Sequence, residues 1–595
     1  MIKVSDFVAD FLARQGITQV FTITGGGAMH LNMSLGRHKG LRCIYNHQEQ
    51  ACAVAAESYA RKSGKMAAVC VTSGPGGTNA ITGVLGAWLD SVPMLVISGQ
   101  VRFDTTVRST NLPLRQLGDQ EFDITRCAAS FTKYAEMVTD PKDIAFHLEK
   151  AVFLAASGRP GPCWIDIPLN IQGAFVEEKD LRHYTPNVKP VAFDKNAPRA
   201  ILEKIAAARR PVLLAGEGIT ISGMREEFLL AVEKLGVPVV TAWNAQDLMA
   251  DDHPLYCGRP STVGDRAGNF IVQNSDCLLV LGCRLNIRQI SYNWADFAHN
   301  AFKIMVDIDA AELAKPTLKT DMPVHADLRD FLPALNAAMP EKLPVKKAWL
   351  DWCAGLKKRY PVTLPSYWLK NSPVNPYCFV DALSDVMRAD DTLVLANGSA
   401  CVCGLQAVKI KKGQRVYTNS GCASMGYDLP AAIGAAAAGA RRVICLAGDG
   451  SLQMNLQEMQ TIAHNKMPVK LFVLNNNGYH SIRQTQANFF GGGFAGCGPE
   501  SGVSFPDMEK IAAAYRADYF RVKNHKTLRA QISKTLEAEG FAVCEVMIDP
   551  AQPFAPKTSS KKLPDGKIVS APLEDMWPFL ERDEFEAVMK EGGSK

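Results

Sequence analysis

The sequence predicts an α/β protein of three doubly wound parallel-sheet domains followed by a C-terminal tail. Three observations carry this. The chain has 595 residues, too many for one core and enough for about three to four domains. Continuous apolar runs of strand length alternate with helix-like segments, the pattern of buried parallel strands joined by crossover helices. Two polar, proline-containing stretches, VEEKDLRHYTPNVKPVAFDKNAPR and KKRYPVTLPSYWLKNSPVNP, divide that alternation into blocks of similar size with no short internal repeat. The domains then run over residues 1–175, 190–340 and 365–553, and residues 554–595 form a tail of little periodicity that packs over the body.

In chain order, MIKVSDFVADFLARQG places Val4, Phe7, Val8, Phe11 and Leu12 at helical spacing. It lacks an apolar h-region, so the expectation is a docked amphipathic helix rather than a signal peptide. CIYNHQEQACAVAAESYAR passes from strand to helix with Glu49 at the junction, and AAVCVTS and PMLVISGQ are further strands. The second block contributes PVLLAGEG, VPVVTAWN, DCLLVLGCR and FKIMVDID. The third contributes TLVLANGS, RVICLAGDG, VKLFVLNNN and FAVCEVMIDP.

Composition narrows the function classes. Hydrophobic residues make up 47% and charged residues 21%, ordinary for a soluble globular protein. A net charge of +5 without a Lys/Arg block argues against a nucleic-acid partner. The longest small-apolar stretch, AAIGAAAAGA, is too short for a bilayer, so no membrane role is expected. The 16 cysteines are scattered without CxxC pairs, and Cys401 and Cys403 form only a C-x-C. Many lie in apolar runs and read as reduced core residues of a cytoplasmic protein.

The third block carries the strongest chemical signal. Strand RVICLAG ends in Gly448-Asp449-Gly450-Ser451, the helix-like LQMNLQEMQTIAHN follows, and PVKLFVLNNN closes a βαβ unit. Asp449 and Asn476 therefore emerge at two strand C-termini, the edge at which open parallel sheets bind ligands. Both offer hard oxygen donors suited to Mg²⁺ or Ca²⁺, and Gly478 adds a backbone carbonyl in the same turn. Glycines let a diphosphate approach the backbone, and a helix N-terminus favours its charge. Taken alone, LNNNGYH also reads as a simple turn.

GDGS followed by NN at this spacing resembles the diphosphate-binding motif of thiamine-diphosphate (ThDP) enzymes. The resemblance extends over nearly the whole chain, to the acetolactate (acetohydroxyacid) synthase branch. It implies a first domain that binds the ThDP pyrimidine and a third that binds the diphosphate. In the third, Gly448, Gly450 and Ser451 cradle the diphosphate, and Mg²⁺ sits on Asp449, Asn476 and Gly478. The middle domain is expected to hold FAD structurally, with ADP or nothing as the alternative. Two subunits are expected to share each active site, in a homodimer or homotetramer.

Glu49 matches the family's activating glutamate. Its carboxyl is expected to hydrogen-bond the pyrimidine and favour the imino tautomer that removes the C2 proton, helped by an apolar setting. TSGPGGTN resembles the family's TSGPGATN loop and places Pro75 and Asn79 beside the cofactor. TGGGAMH resembles its Gly-Gly loop, with Gly26 at the cofactor and His30 either solvated or substrate-facing. GCASMGYDLP stands where the family has GLGTMG, so Met425 is expected to buttress the bent cofactor while the backbone of Ala423 and Met425 pairs with the pyrimidine. The segments around Arg159, Gly216, Gly218, Thr241, Arg284, Asp307 and Asp309 align with FAD-contacting segments.

The sequence departs from the family at the acceptor pocket. Phe122-Asp123 replaces Phe-Gln, Thr485 replaces a substrate-selecting tryptophan, and only Arg284 and Arg288 of RFDDR survive in RLNIR. Ile482 stands where simple decarboxylases carry a protonating glutamate, and His480 and Gln484 are candidate acceptor contacts. The expectation is a decarboxylating carboligase that passes a two-carbon acyl unit from pyruvate or a related 2-oxo acid to a carbonyl acceptor, either another 2-oxo acid or a keto-sugar. A simple 2-oxo-acid decarboxylase or C–C lyase is the alternative. A non-enzymatic cofactor-binding protein is disfavoured because Glu49, Asp449 and Asn476 are all intact.

Overall fold

Each block closes its own six-stranded parallel sheet. The computed structural model describes residues 1–187, 191–339, 341–491, 493–562, 565 and 567–593. The expected bounds at 190 and 340 fall outside the described residues.

The first sheet runs Arg42–Tyr45, Gln19–Thr22, Ala67–Val71, Met94–Gln100, Pro162–Pro168, Ala135–Met137. The third runs Arg415–Tyr417, Thr392–Leu395, Val443–Gly448, Val469–Asn475, Ala542–Met547, Asp518–Val522. Counted within each domain, both have strand order 2-1-3-4-6-5. The middle sheet runs Tyr256–Gly258, Val239–Thr241, Pro211–Ala215, Cys277–Leu281, Phe302–Asp307, Met322–His325, which is the dinucleotide-fold order 3-2-1-4-5-6. The strand order therefore reverses beside the first strand of every domain, and that is where the glycine-rich turns lie.

Central strands such as Ala67–Val71, Pro211–Ala215 and Cys277–Leu281 are buried along their whole length, as continuous apolar runs require. Edge strands other than Arg42–Tyr45 escaped the sequence reading for the opposite reason. Asp518–Val522, for instance, is partly exposed over four of its five residues and presents no apolar run. The N-terminal helix Val4–Arg14 buries Val4, Phe7, Val8, Phe11 and Leu12 as expected. The expected helix after GDGS is interrupted. Asp449–Leu452 forms one short turn and a second helix starts at Glu458, because the buried Asn455 between them donates to Gly426 O at 2.8 Å.

The Ala-rich stretch after Glu49 forms a close helix–helix seam between the first and third domains. Helix Glu49–Ser63 lies against Asp428–Ala437, and a Cβ at Gly434 would stand 2.1 Å from Ala55 O. Ser58 Oγ donates to Ala431 O (2.6 Å), and Arg61 pairs with Glu57 (2.6 Å) and Asp90 (2.7 Å) behind the seam. Packing around the middle sheet continues beyond the expected boundary. Helix Lys347–Arg359 adds Trp349, Cys353 and Leu356 to that core. The tail docks on the same face through Leu573 and Val588, fixed by Asn269 Nδ2 to Leu573 O (2.8 Å) and Gln273 Nε2 to Glu574 (2.8 Å). All sixteen cysteines are free thiols. No helix among the described residues is long and apolar enough to cross a membrane.

Candidate active site

At the end of strand Val469–Asn475 each of the three asparagines has a different task. Asn475 finishes the strand, donating to Glu545 Oε1 (2.7 Å) and accepting from Asn477 N (2.9 Å) in a side-chain-closed turn. Asn477 takes the left-handed conformation (φ 55°), which asparagine tolerates better than most residues. Asn476 turns inward, and its Oδ1 is buried with no hydrogen-bond partner among the described residues.

Asp449 faces this turn. Its Oδ2 accepts from the backbone of Asn476 and Gly478, each at 3.1 Å, and its Oδ1 from Gly450 (2.9 Å). Burial nevertheless pushes the carboxyl up to about 6. A buried carboxylate beside a buried, unsatisfied amide oxygen leaves a place for a hard cation. The donor set (carboxylate, amide oxygen, turn carbonyl) fits Mg²⁺, which keeps the rest of its shell for water and phosphate oxygens. A Cβ at Gly448 would meet nothing within 4 Å, so the strand end is open above. One at Gly450 would strike the Tyr479 ring at 2.2 Å, and one at Gly478 would strike Cys497 O at 2.2 Å.

The loop before helix Asp428–Ala437 reaches the same strand end. Ser451 Oγ donates to Asp428 (2.8 Å) and accepts from Gly426 N (3.0 Å). Ala423 is held at φ 54°, a strained conformation for a residue with a Cβ, and its carbonyl accepts from Asn397. Met425 is half-buried between them.

In the first domain the two glycine-rich loops meet at the switch point. Gly27 N donates to Thr72 Oγ1 (3.1 Å), and a Cβ at Gly25 would stand 2.5 Å from Thr72 Cβ. Gly26 itself faces open space. Pro75 begins helix Pro75–Leu89 after Gly74, whose φ of 57° suits glycine. Asn79, one turn on, donates to Glu49 Oε2 at 3.0 Å. Glu49 is half-buried and Asn79 exposed, so one chain leaves this pair open to solvent. His30 makes no hydrogen bond among the described residues and lies against Gly173, where a Cβ would be 3.0 Å from Nε2.

His480 and Gln484 share one face of helix His480–Phe489. Gln484 Oε1 accepts from Phe554 N (3.3 Å), which orients its Nε2 toward His480 Nε2 (2.8 Å). The His480 Nδ1 faces Ser399 Oγ at 2.9 Å. Burial, with Arg483 nearby, lowers the ring to about 4. His480 is thus a neutral residue with both nitrogens engaged. Thr485 points outward and donates to Ser481 O (3.0 Å). Asp123 accepts from Thr125 Oγ1 (2.6 Å) and pairs with the largely exposed Arg126 (3.1 Å).

Comparison with known proteins bears on the three domains. Residues 2–125 match the N-terminal TPP binding domain of thiamine pyrophosphate enzymes, 199–335 their central domain, and 396–546 their C-terminal TPP binding domain. The chain belongs to the thiamine pyrophosphate enzyme family. It is 32% identical to the acetolactate synthase isozyme 1 large subunit of Escherichia coli, over 93% of this chain and 95% of that one. It is 31% identical to the acetolactate synthase large subunit of Lactococcus lactis, with 93% of each chain covered. It is also 30% identical to a probable acetolactate synthase large subunit of Methanocaldococcus jannaschii, over 99% of this chain and 98% of that one.

In this family member the middle domain opens a cleft at its own switch point. Arg159, Gly218, Arg284 and Asp307 line it, together with Arg61 and Asp90 from the first domain and Ser420 from the third. Gly216 and Thr241 do not line it: Gly216 packs behind the wall, where a Cβ would stand 2.2 Å from Gly282 O, and Thr241 is buried on the strand before Ala242. Asp309 holds Arg159 at 2.9 Å, beside Glu312 at 2.9 Å. Arg61 Nη1, Glu217 Oε2 and Asn244 Oδ1 line the cleft and are buried without hydrogen-bond partners among the described residues. Position and unsatisfied polar atoms fit a nucleotide ligand.

Some predicted residues are not brought together. Among the described residues, no hydrogen bond or ion pair joins Glu49 or His30 to the Asp449–Gly478 turn or to His480. Sequence reasoning also missed three supports of the site. Arg483 spans the carbonyls of Asn477 (3.1 Å) and Cys497 (3.4 Å), Asn397 holds Ala423, and Glu458 grips the loop before Glu49. Asn397-Gly398 after a strand was a readable turn signal. Glu458 offered none, because its partners in that loop lie 411 and 412 residues away.

Proposed function

We propose that this enzyme is a ThDP- and Mg²⁺-dependent decarboxylating carboligase that transfers a two-carbon acyl unit from pyruvate, or a close 2-oxo acid, to a carbonyl acceptor. The observation that carries the reading is the Asp449–Asn476 turn, with its buried carboxylate and unsatisfied amide oxygen. When bound, the cofactor supplies the electron sink that 2-oxo-acid decarboxylation needs. Asp449, Asn476 and Gly478 would hold the metal, and Glu49, kept in line by Asn79, would hold a proton for the pyrimidine. His480 stays neutral and orients Gln484.

Two subunits share each site in this reading. Its support is the openness of the Glu49–Asn79 pair, with exposed Met29, Tyr45 and Phe122 in the first domain and Ile482, Phe489 and Phe490 in the third. Assaying ThDP-dependent CO₂ release from pyruvate and identifying the product tests the function. Acetaldehyde as the sole product would assign a simple decarboxylase instead.

The acceptor in this reading is bulkier and more neutral than a second 2-oxo acid. Thr485 leaves space where the family's indole would stand. Self-condensation of pyruvate is expected to be slow, and a keto-sugar-like carbonyl is expected to outcompete it. Placing Trp at 485 and Gln at 123 should raise the acetolactate fraction. Product ratios with and without a bulky carbonyl measure this. Efficient acetolactate formation by the unmodified enzyme, with no bulky acceptor used, would overturn it.

FAD in the middle cleft is the further expectation, held by Arg159, Gly218, Arg284 and Asp307 and taking no part in net redox. Purified protein should be yellow, with a flavin spectrum released on denaturation. A colourless, active preparation would remove FAD from the account.

A further inference from the structure

We propose that Glu458, on the third domain, is the positioning residue that fixes the loop from which Glu49 projects. Its carboxylate is fully buried and grips that loop across the domain boundary. Oε1 accepts from the backbone N–H of His47 (2.8 Å), and Oε2 accepts from Asn46 Nδ2 (2.9 Å) and Thr461 Oγ1 (2.8 Å). The loop is gripped from the other side as well, since Asn46 N donates to Thr22 O at 3.1 Å. Glu49 then follows as the first residue of its helix, behind the Gln48 side chain that caps it.

The clamp has a task beyond joining two domains. Docking is already secured by the Ala55–Gly434 and Ser58–Ala431 contacts of the seam and by Tyr427 on Glu57 (2.8 Å). Loss of Glu458 therefore spares the docking and releases residues 46–48. Its three donors are all neutral, so it forms no ion pair there, and burial raises its pKa. A carboxylate is kept at such a site for its ability to accept several hydrogen bonds at once.

Asn46 Oδ1 is buried without a partner among the described residues. In Glu458→Gln the glutamine oxygen still accepts from His47 and a flipped Asn46 amide can accept from the new Nε2, leaving unpaired only the Asn46 Nδ2 that takes the place of Oδ1. Glu458→Ala offers no such recovery and leaves buried donors unpaired.

The inference rests on the role proposed for Glu49, so both residues are tested together. In the cofactor-free protein, hydrogen exchange at the His47 amide should accelerate at least tenfold in Glu458→Ala. In the Mg²⁺–ThDP complex of that variant, C2 proton exchange should fall at least tenfold while cofactor affinity by titration calorimetry stays within threefold. Glu458→Gln should stay within threefold of wild type on every readout. Adding Asn46→Ala to Glu458→Gln should restore the defect, which keeps the test available if the alanine variant does not fold. Parallel losses of affinity and C2 exchange would show a merely structural role and overturn the proposal, as would wild-type C2 exchange in Glu458→Ala. If Glu49→Gln itself exchanges C2 at the wild-type rate, the Glu49 reading fails; if Glu49→Gln is slow and Glu458→Ala is not, only the positioning role fails.

Discussion

Asp449→Ala is expected to abolish Mg²⁺-dependent retention of ThDP. The substitution removes the carboxylate that faces Asn476 and strips the backbone N–H groups of Gly450, Asn476 and Gly478 of their acceptor. Each buried donor left unpaired costs about 1–3 kcal/mol. The diphosphate charge also loses the cation that balances it. Asp449→Asn separates the two effects, since it keeps an oxygen for the turn and removes the charge. For that variant an affinity loss of about 100-fold, near 2.7 kcal/mol, is expected. Titration calorimetry at saturating Mg²⁺ decides it, and unchanged affinity in either variant would refute the metal assignment.

Glu49→Gln is expected to keep cofactor binding and to lose C2 activation. Glutamine has nearly the same shape and can still accept from Asn79, whose Nδ2 is 3.0 Å from Glu49 Oε2. An amide cannot share a proton with the pyrimidine. Acid–base assistance of this kind contributes about 10²–10⁴-fold, so C2 exchange followed by NMR should fall by that order while Mg²⁺–ThDP affinity stays within about tenfold. A wild-type exchange rate would remove Glu49 from the mechanism.

The two experiments probe opposite ends of the site, and those ends differed in how far the sequence revealed them. The Asp449–Asn476 pair was legible because both residues end strands of one βαβ unit, so periodicity and turn chemistry already place them on one sheet edge. The separate tasks of Asn475, Asn476 and Asn477 were not legible, since side-chain direction within a turn depends on what surrounds it. His480 shows the same limit from the other side. A histidine at a strand–helix junction reads as an acceptor contact, but packing against Phe554 and hydrogen bonding to Ser399 and Gln484 make it a neutral, fully engaged ring.

By itself the sequence determined three parallel-sheet domains, the glycine-rich turns at their strand ends, and the acid and amide that emerge together at two of those ends. These are local consequences of apolar period, glycine freedom and hard oxygen donors. Tertiary structure alone decided the matching 2-1-3-4-6-5 order of the two outer sheets, the tail's docking on the middle domain, and the convergence of three domains on the middle cleft. It also decided the grip of Glu458 on the loop before Glu49. The physical reason is sequence separation: Glu458 meets Asn46 across 412 residues, and only the folded chain, with its helix seam closed over small side chains, brings such partners within hydrogen-bonding distance.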